Sequence, residues 1–347
     1  MKGGVGDGDL PIRVLIGRSS SVRYRLHRRP HGGYRVHGRI VLVGGSGFIG
    51  SNLALALSKD STKSVLIAGR KPGAASLLGK LPQVGFHRIE FGPATDYTSL
   101  FQRDDVVVHL VSSTTPGTSN AAISGELDDI VSAARMLDAC VAAGVSKVVY
   151  VSSGGAVYGA TNGKSKEDDS LDPISTYGLQ KAAIEKLLGI YGHQHGLDYR
   201  IVRPSNPYGP WQNPKKGQGI VGVFVHNALV GEPLVLYGKG DTVRDFVYID
   251  DLVEGMQRVL NYEGEHRVFN LGSGEGLPMN RIAKEIRLQI PGTTIAYAEG
   301  RSADVPLNVL DMTLFEGEMG PIPRTEIGHG VKKVIAHQRA LLDAGVL

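Results

Sequence analysis

One tyrosine in this chain has a neighbour that could turn a phenol into a base. Of the thirteen tyrosines, only Tyr177 is followed four positions later by a lysine, Lys181. The apolar positions from Lys181 to Tyr191 recur at helical spacing, so both side chains lie on one helix face, about 6 Å apart along the axis. A free phenol has a pKa of about 10, and a cation in a poorly hydrated cleft can lower it. The pair is therefore suited to a general base acting on an alcohol.

A glycine-rich turn follows the first strand pattern. Residues 39–43 form a short, mostly apolar and mostly β-branched run, and they lead directly into Gly44-Gly45-Ser46-Gly47-Phe48-Ile49-Gly50 and then into a helical pattern. Glycines at such a turn let the backbone approach a pyrophosphate, whose charge is stabilised by the unpaired N–H groups of the helix N-terminus. We predict a dinucleotide site that includes Gly44, Gly47, Phe48, Ile49 and Gly50.

The second predicted strand lacks the acidic residue that commonly binds the adenosine ribose. Residues 64–68 are followed by Gly69, Arg70 and Lys71, which leave room and positive charge for a 2′-phosphate. Arg70 is accordingly a predicted cofactor contact, and NADP stays open beside NAD. Arg70 lying on the adenine or in solvent is the alternative.

Composition and charge favour an α/β enzyme. The 347 residues are 41% hydrophobic and 21% charged, and no apolar run is long enough to span a membrane. The single cysteine, Cys140, excludes an internal disulfide and favours a cytoplasmic location. His193 and His195 have no third ligand nearby in the sequence, so no metal is predicted.

The positive charge is concentrated at the N-terminus. Residues 1–38 hold eight lysines and arginines against two aspartates, while the whole chain has a net charge of +4. The remaining residues therefore carry no basic excess, and we expect no nucleic-acid partner. Residues 1–37 are predicted to be a disordered basic extension, with a binding arm as the alternative.

Strands and helices alternate beyond the glycine turn. We predict a parallel doubly wound (Rossmann) sheet with helices on both faces. Further strands are expected at 86–91, 105–111, 147–152 and 199–203, and helices near residue 98 and at 128–143 and 181–191. Ligands bind at the carboxyl ends of such strands, so Ser152 and Ser153 can meet Tyr177 there.

The chain resembles the extended short-chain dehydrogenase/reductases of the NAD-dependent epimerase/dehydratase family, and within it the UDP-glucose (UDP-galactose) 4-epimerases. The resemblance covers about residues 38–345. It rests on the glycine turn and Tyr177 to Lys181, and on further motifs in the same order: Ser152-Ser153-Gly154-Gly155-Ala156-Val157-Tyr158-Gly159, Arg203-Pro204-Ser205-Asn206-Pro207-Tyr208-Gly209-Pro210, Arg244-Asp245-Phe246, Phe269-Asn270-Leu271-Gly272-Ser273 and Arg301-Ser302-Ala303-Asp304.

This resemblance implies a role for each matching residue. Tyr177 would take the proton of the sugar 4-hydroxyl while hydride passes to NAD, and Lys181 would bind the nicotinamide ribose and lower the tyrosine pKa. The 4-keto sugar would turn over, and hydride would return to its other face. Asn206, Arg244, Arg301 and Asp304 match positions that hold the nucleotide diphosphate and uridine. Asn308 matches the position that faces the sugar 2-substituent.

Two positions close to the catalytic pair depart from the family pattern, and Pro93 and Asp129 depart from it at the cofactor site. Gly154 stands where the catalytic serine or threonine usually lies, and Ala156 replaces a frequent threonine. The proton bridge to Tyr177 must then come from Ser153, Ser152 or a water. Residues 154–156 also lack the acidic pair of a 4,6-dehydratase, so β-elimination is disfavoured.

We therefore expect a homodimeric UDP-sugar 4-epimerase. Residues 38–205 would form the NAD(P)-binding domain, to which residues 240–272 return, and residues 206–347 would mainly bind the nucleotide sugar. The alternatives are an NADPH-dependent 4-ketosugar reductase and a catalytically silent dinucleotide-binding regulator.

Overall fold

The computed structural model describes residues 38–73, 81–114, 127–216, 219–300 and 305–347. All of them belong to one compact unit, residues 36–347. The predicted extension at residues 1–37 and the predicted ligands Arg301 and Asp304 lie outside the described residues.

A seven-stranded sheet forms the centre of this unit, and every pair of neighbouring strands in it is parallel. The strands are β1 (Ile40–Val43), β2 (Val65–Gly69), β3 (Val84–Arg88), β4 (Val106–His109), β5 (Lys147–Val151), β7 (Tyr199–Pro204) and β11 (Val268–Leu271). Their order across the sheet is β11-β7-β5-β4-β1-β2-β3. The predicted fold class is confirmed.

Helices cover both faces of the sheet. They are α1 (Phe48–Leu57), α2 (Asp128–Ala143), α3 (Gly154–Val157), α4 (Thr176–His195), α5 (Ile220–Val230), α6 (Ile249–Leu260), α7 (Met279–Gln289), α8 (Thr313–Met319) and α9 (Ile327–Asp343). Alternate residues of β1 face opposite sides, so Ile40 and Leu42 pack in the core under α1 and α6, and Val41 and Val43 pack in the core under α2 and α4. In the described part of the chain, no helix has the length and apolar character needed to cross a membrane.

A second, mixed sheet lies in the C-terminal part. It contains β6 (Lys164–Ser165), β8 (Asn206–Tyr208), β10 (Val243–Tyr248), β12 (Gly276–Pro278) and β14 (Leu307–Leu310), while β9 (Leu234–Tyr237) pairs with β13 (Ile295–Ala298). β10 runs parallel to β14 with Arg244 opposite Asn308. Two predicted substrate-binding residues thereby become neighbours.

Two predicted helices differ from the structure. The helix expected near residue 98 is wrong, because Asp96 accepts hydrogen bonds from the Thr98 amide and hydroxyl and closes a local turn instead. The helix expected at 181–191 begins earlier, at Thr176, where Ser175 caps it by accepting from the Gly178 amide at 3.1 Å. Its first turns are buried nearly all round, which hides their helical periodicity.

Candidate active site

The candidate site lies at the carboxyl ends of the parallel strands. The glycine turn follows β1, Ser152 and Ser153 follow β5, and Asn206 follows β7. Neighbouring parallel strands end at the same edge, so these segments share one rim.

The glycine turn fits closely against its surroundings. Gly44 has φ of +83°, and a Cβ there would lie 3.0 Å from the Val111 amide nitrogen. A Cβ on Gly50 would lie 2.5 Å from Gly45 Cα, so only glycine fits at this position in the first turn of α1. Gly47 caps α1 without a side-chain hydrogen bond, which leaves the amide groups of the first turn available to an anion. These features fit a dinucleotide pyrophosphate, and exposed Arg70 lies just beyond the end of β2.

Tyr177 and Lys181 are both buried at this rim, with 8% and 5% of their surface exposed. The Lys181 ammonium donates to the Val151 carbonyl at 3.0 Å, which ties α4 to the end of β5. The same nitrogen lies 5.7 Å from the centre of the Tyr177 ring. The predicted pair is therefore brought together on one helix face.

The pKa of Tyr177 differs from the expectation. Burial raises the pKa of the phenol, and the neighbouring Ser153 hydroxyl offsets this only in part. Burial also lowers the pKa of Lys181 to about 8. Because its pKa is raised from an ordinary value of about 10, the Tyr177 phenol is protonated at neutral pH in this structure.

The two serines after β5 have different partners. Ser152 donates to Glu185, a buried carboxylate that also pairs with the Arg203 guanidinium at 2.6 Å. The Ser153 hydroxyl lies beside the Tyr177 phenol and lowers its pKa. The sequence left three candidates for the proton bridge: Ser153, Ser152 or a water. Of the two serines, the structure places the Ser153 hydroxyl beside the Tyr177 phenol.

Leu310 explains why residue 154 has no side chain. A Cβ on Gly154 would lie 2.8 Å from both δ carbons of Leu310 and 3.2 Å from the Arg203 carbonyl oxygen. Leu310 is fully buried, so it occupies the space that a serine or threonine at 154 would need.

A polar recess opens over Gly155. A Cβ there would lie 3.8 Å from Asn206 Oδ1, 3.9 Å from Ser153 Oγ and 4.0 Å from Asn308 Oδ1. Asn206 donates to the Asp245 carbonyl at 2.8 Å, and Asn308 donates to the Gly154 carbonyl at 3.2 Å. Asn308 is only 1% exposed and its Oδ1 has no hydrogen-bond partner among the described residues. A hydroxyl or amide donor of a ligand would satisfy that oxygen.

Arg244 lies at the border of this region. Its guanidinium donates to the carbonyls of Val243 and Val305 at 2.9 and 2.8 Å. The strand register places Arg244 opposite Asn308. The other two predicted nucleotide-binding residues, Arg301 and Asp304, lie outside the described residues.

Sequence reasoning missed two buried groups behind the pair. Tyr150, on β5, has its ring centre 5.1 Å from the Lys181 nitrogen, and His109, on β4, lies against Tyr150 with ring centres 5.2 Å apart. Both residues sit in apolar strand patterns that favour a packing interpretation. No local motif could have found them.

Comparison with known proteins identifies the family. The model of the NAD dependent epimerase/dehydratase family matches residues 40–272. The chain belongs to this family. The match contains the glycine turn, the Tyr177/Lys181 pair and Arg244.

Known relatives in the family carry out more than one reaction. The chain is 28% identical over 302 residues to a putative UDP-glucose 4-epimerase of Methanocaldococcus jannaschii, covering 85% of this chain and 97% of the relative. It is 31% identical over 320 residues to a dTDP-glucose 4,6-dehydratase of Streptomyces antibioticus, covering 85% and 91%. Among solved structures, the UDP-glucuronic acid 4-epimerase of Bacillus cereus, in complex with UDP-glucuronic acid and NAD, superposes with a TM-score of 0.80 at 25% identity over 87% of this chain and 99% of that one.

Proposed function

We propose that this protein is a UDP-sugar 4-epimerase that acts on UDP-glucose and UDP-galactose. The observation that carries the proposal is the buried Tyr177, with the Ser153 hydroxyl beside its phenol and Lys181 facing its ring, next to the polar recess over Gly155. Epimerase relatives and the UDP-sugar complex of a solved neighbour support the substrate class.

Each residue of the site has a task in this reaction. Ser153 bridges the sugar 4-hydroxyl to Tyr177, which must first lose its own proton and then takes that of the sugar as a phenolate. The Lys181 ammonium favours the phenolate that this transfer requires. With the C4 hydride accepted by bound NAD, the resulting 4-keto sugar would turn over in the recess, where Asn206 and Asn308 present amide oxygens, before the proton and the hydride return. Arg244, with Arg301 and Asp304, binds the nucleotide diphosphate and uridine.

NAD is the proposed cofactor. Gly44, Gly47, Phe48, Ile49 and Gly50 would hold its pyrophosphate at the α1 N-terminus, and Lys181 would bind the nicotinamide ribose. When bound, NAD supplies reversible hydride acceptance, so no second substrate is needed. The named complex of the Bacillus cereus neighbour contains the same cofactor.

We also propose a cytoplasmic homodimer. Val131 on α2 and Leu179 and Ile190 on α4 leave about half of their surfaces exposed, on two helices that pack against each other. A second copy that covered these apolar side chains would remove them from water.

The reductase is the second candidate function. Gly69 and Arg70 lack the ribose-binding acid and favour a 2′-phosphate, as an NADPH-dependent enzyme requires. A 4,6-dehydratase is less favoured despite the Streptomyces relative, because Gly154, Gly155 and Ala156 supply no acid for β-elimination.

One incubation distinguishes these functions. Purified protein is mixed with UDP-glucose, UDP-galactose, their N-acetyl forms or a UDP-4-keto sugar, with and without NADPH, and products are resolved by chromatography. An epimerase converts UDP-glucose to UDP-galactose and UDP-galactose to UDP-glucose without net cofactor consumption. NADPH consumption with a 4-keto sugar, and no interconversion, would identify the reductase instead. A silent regulator would bind dinucleotide and convert nothing.

A further inference from the structure

Lys181 is a buried cation that no carboxylate of the described residues contacts. Its nitrogen bonds the Val151 carbonyl, and none of the ion pairs among the described residues includes it. Burying an ammonium without a counter-ion is costly, and such groups tend to lose their proton. Some other group must therefore help to keep this one charged.

Tyr150 is placed to supply that help. Its ring is fully buried and its centre lies 5.1 Å from the Lys181 nitrogen, closer than the ring of Tyr177 at 5.7 Å. A cation within about 6 Å of an aromatic face is attracted by the ring quadrupole, most strongly where water is excluded. The Tyr150 hydroxyl has no partner among the described residues, so the position is not explained by a hydrogen bond.

We propose that Tyr150 is a positioning residue for Lys181, whose ammonium rests on the Tyr150 ring and is thereby kept charged and directed at Tyr177. The inference deepens the proposed function, because it assigns a support to the cation on which the base depends.

The other charged and titratable groups around Lys181 do not replace this support. The carboxylates of Glu185 on α4 and Asp129 on α2 raise the pKa of Lys181, yet burial outweighs them and leaves it at about 8. Glu185 is engaged by Arg203 and Ser152, and Asp129 accepts from the Ser113 amide at 2.8 Å. His109, from β4, stays neutral because burial and Lys181 lower its pKa to about 3.

Fluorinated phenylalanines at position 150 test the proposal without changing the ring shape. Phenylalanine and its mono-, di- and trifluorinated forms weaken the quadrupole in steps, and each protein carries 13C-labelled lysine whose ε-carbon signal is titrated by NMR. The Lys181 signal is assigned with Lys181→Met. We expect Tyr150→Phe to keep the pKa of Lys181 close to its original value, and fluorination to lower it stepwise by about one pH unit in total.

Two outcomes would overturn the proposal. Either the pKa of Lys181 stays constant across the fluorinated series, or Tyr150→Phe alone lowers it as far as trifluorination does, which would assign the effect to the hydroxyl. Activity adds a second readout: the alkaline limb of kcat/KM should move to lower pH with fluorination, since activity is lost as Lys181 deprotonates. Direct titration separates the two claims, because the pKa can follow the ring even if the protein epimerises nothing.

Discussion

Placing a serine at position 154 should destabilise the protein because of Leu310. A new Cβ would lie 2.8 Å from each Leu310 δ carbon, whereas carbon atoms in contact are normally about 3.5–4.0 Å apart. Such overpacking costs about 1–3 kcal/mol, and serine recovers roughly 0.5 kcal/mol over glycine in a helix. We therefore expect Gly154→Ser to lower the free energy of unfolding by about 0.5–2.5 kcal/mol.

Gly155→Ser is the matched control. It makes the same change one residue later in α3, where the three nearest atoms to a Cβ are 3.8, 3.9 and 4.0 Å away. Its unfolding free energy should stay within about 0.5 kcal/mol of the original, because nothing overlaps. Urea unfolding followed by circular dichroism measures both.

A double-mutant cycle then isolates the contact. Leu310→Val shortens the side chain that the introduced serine would meet, so the loss in the double variant should be smaller than the sum of the two single losses by about 0.5 kcal/mol or more. Strictly additive losses, or equal losses in Gly154→Ser and Gly155→Ser, would refute the packing explanation for Gly154.

Three further outcomes are expected. Titration of the apoprotein should show NAD binding no more than about tenfold tighter than NADP. Arg70→Ser should weaken the binding of NADP but not of NAD, because an arginine pairs with a 2′-phosphate. A hundredfold preference of the original protein for NAD would contradict this. A chain beginning at Val36 should melt at the same temperature as the full chain, and a drop of many degrees would show that the preceding residues pack on the domain. Asn308→Tyr should abolish epimerisation of UDP-N-acetylglucosamine and spare that of UDP-glucose, because the larger side chain fills the recess next to Gly155. Equal loss of the two activities, or no activity of the original protein on UDP-N-acetylglucosamine, would place Asn308 outside the sugar pocket.

Local motifs predicted the parts of the site that depend on local structure. The glycine turn needs a positive φ at Gly44 and close approach of the backbone of Gly45 to Gly50. Both needs are met by glycines within seven consecutive residues, so a local motif reveals them. The spacing of Tyr177 and Lys181 likewise follows from one helix, although the pattern placed its start five residues late. Elements whose signal is local and periodic are therefore the predictable ones.

Contacts between distant segments could not be predicted. Leu310 meets Gly154 only because β14 packs behind α3, and Tyr150 meets Lys181 only because β5 lies under α4. The raised pKa of Tyr177 has the same origin, since the depth of burial comes from the assembled core and not from neighbours in sequence. The expected helix near residue 98 failed for the opposite reason: the Asp96 side chain offered the backbone a competing local hydrogen bond.

The most direct test of the central claim is the epimerase rate of Tyr177→Phe with UDP-galactose as substrate. Tyr191→Phe is its control, because Tyr191 lies on the same helix about 21 Å further along and its hydroxyl bonds Asp138, away from the site. We predict that Tyr191→Phe keeps the full rate and that Tyr177→Phe loses turnover while it still binds NAD. If Tyr177→Phe retained about a tenth of the rate or more, the loss of transition-state stabilisation would be only about 1.4 kcal/mol, and Tyr177 would not be the base.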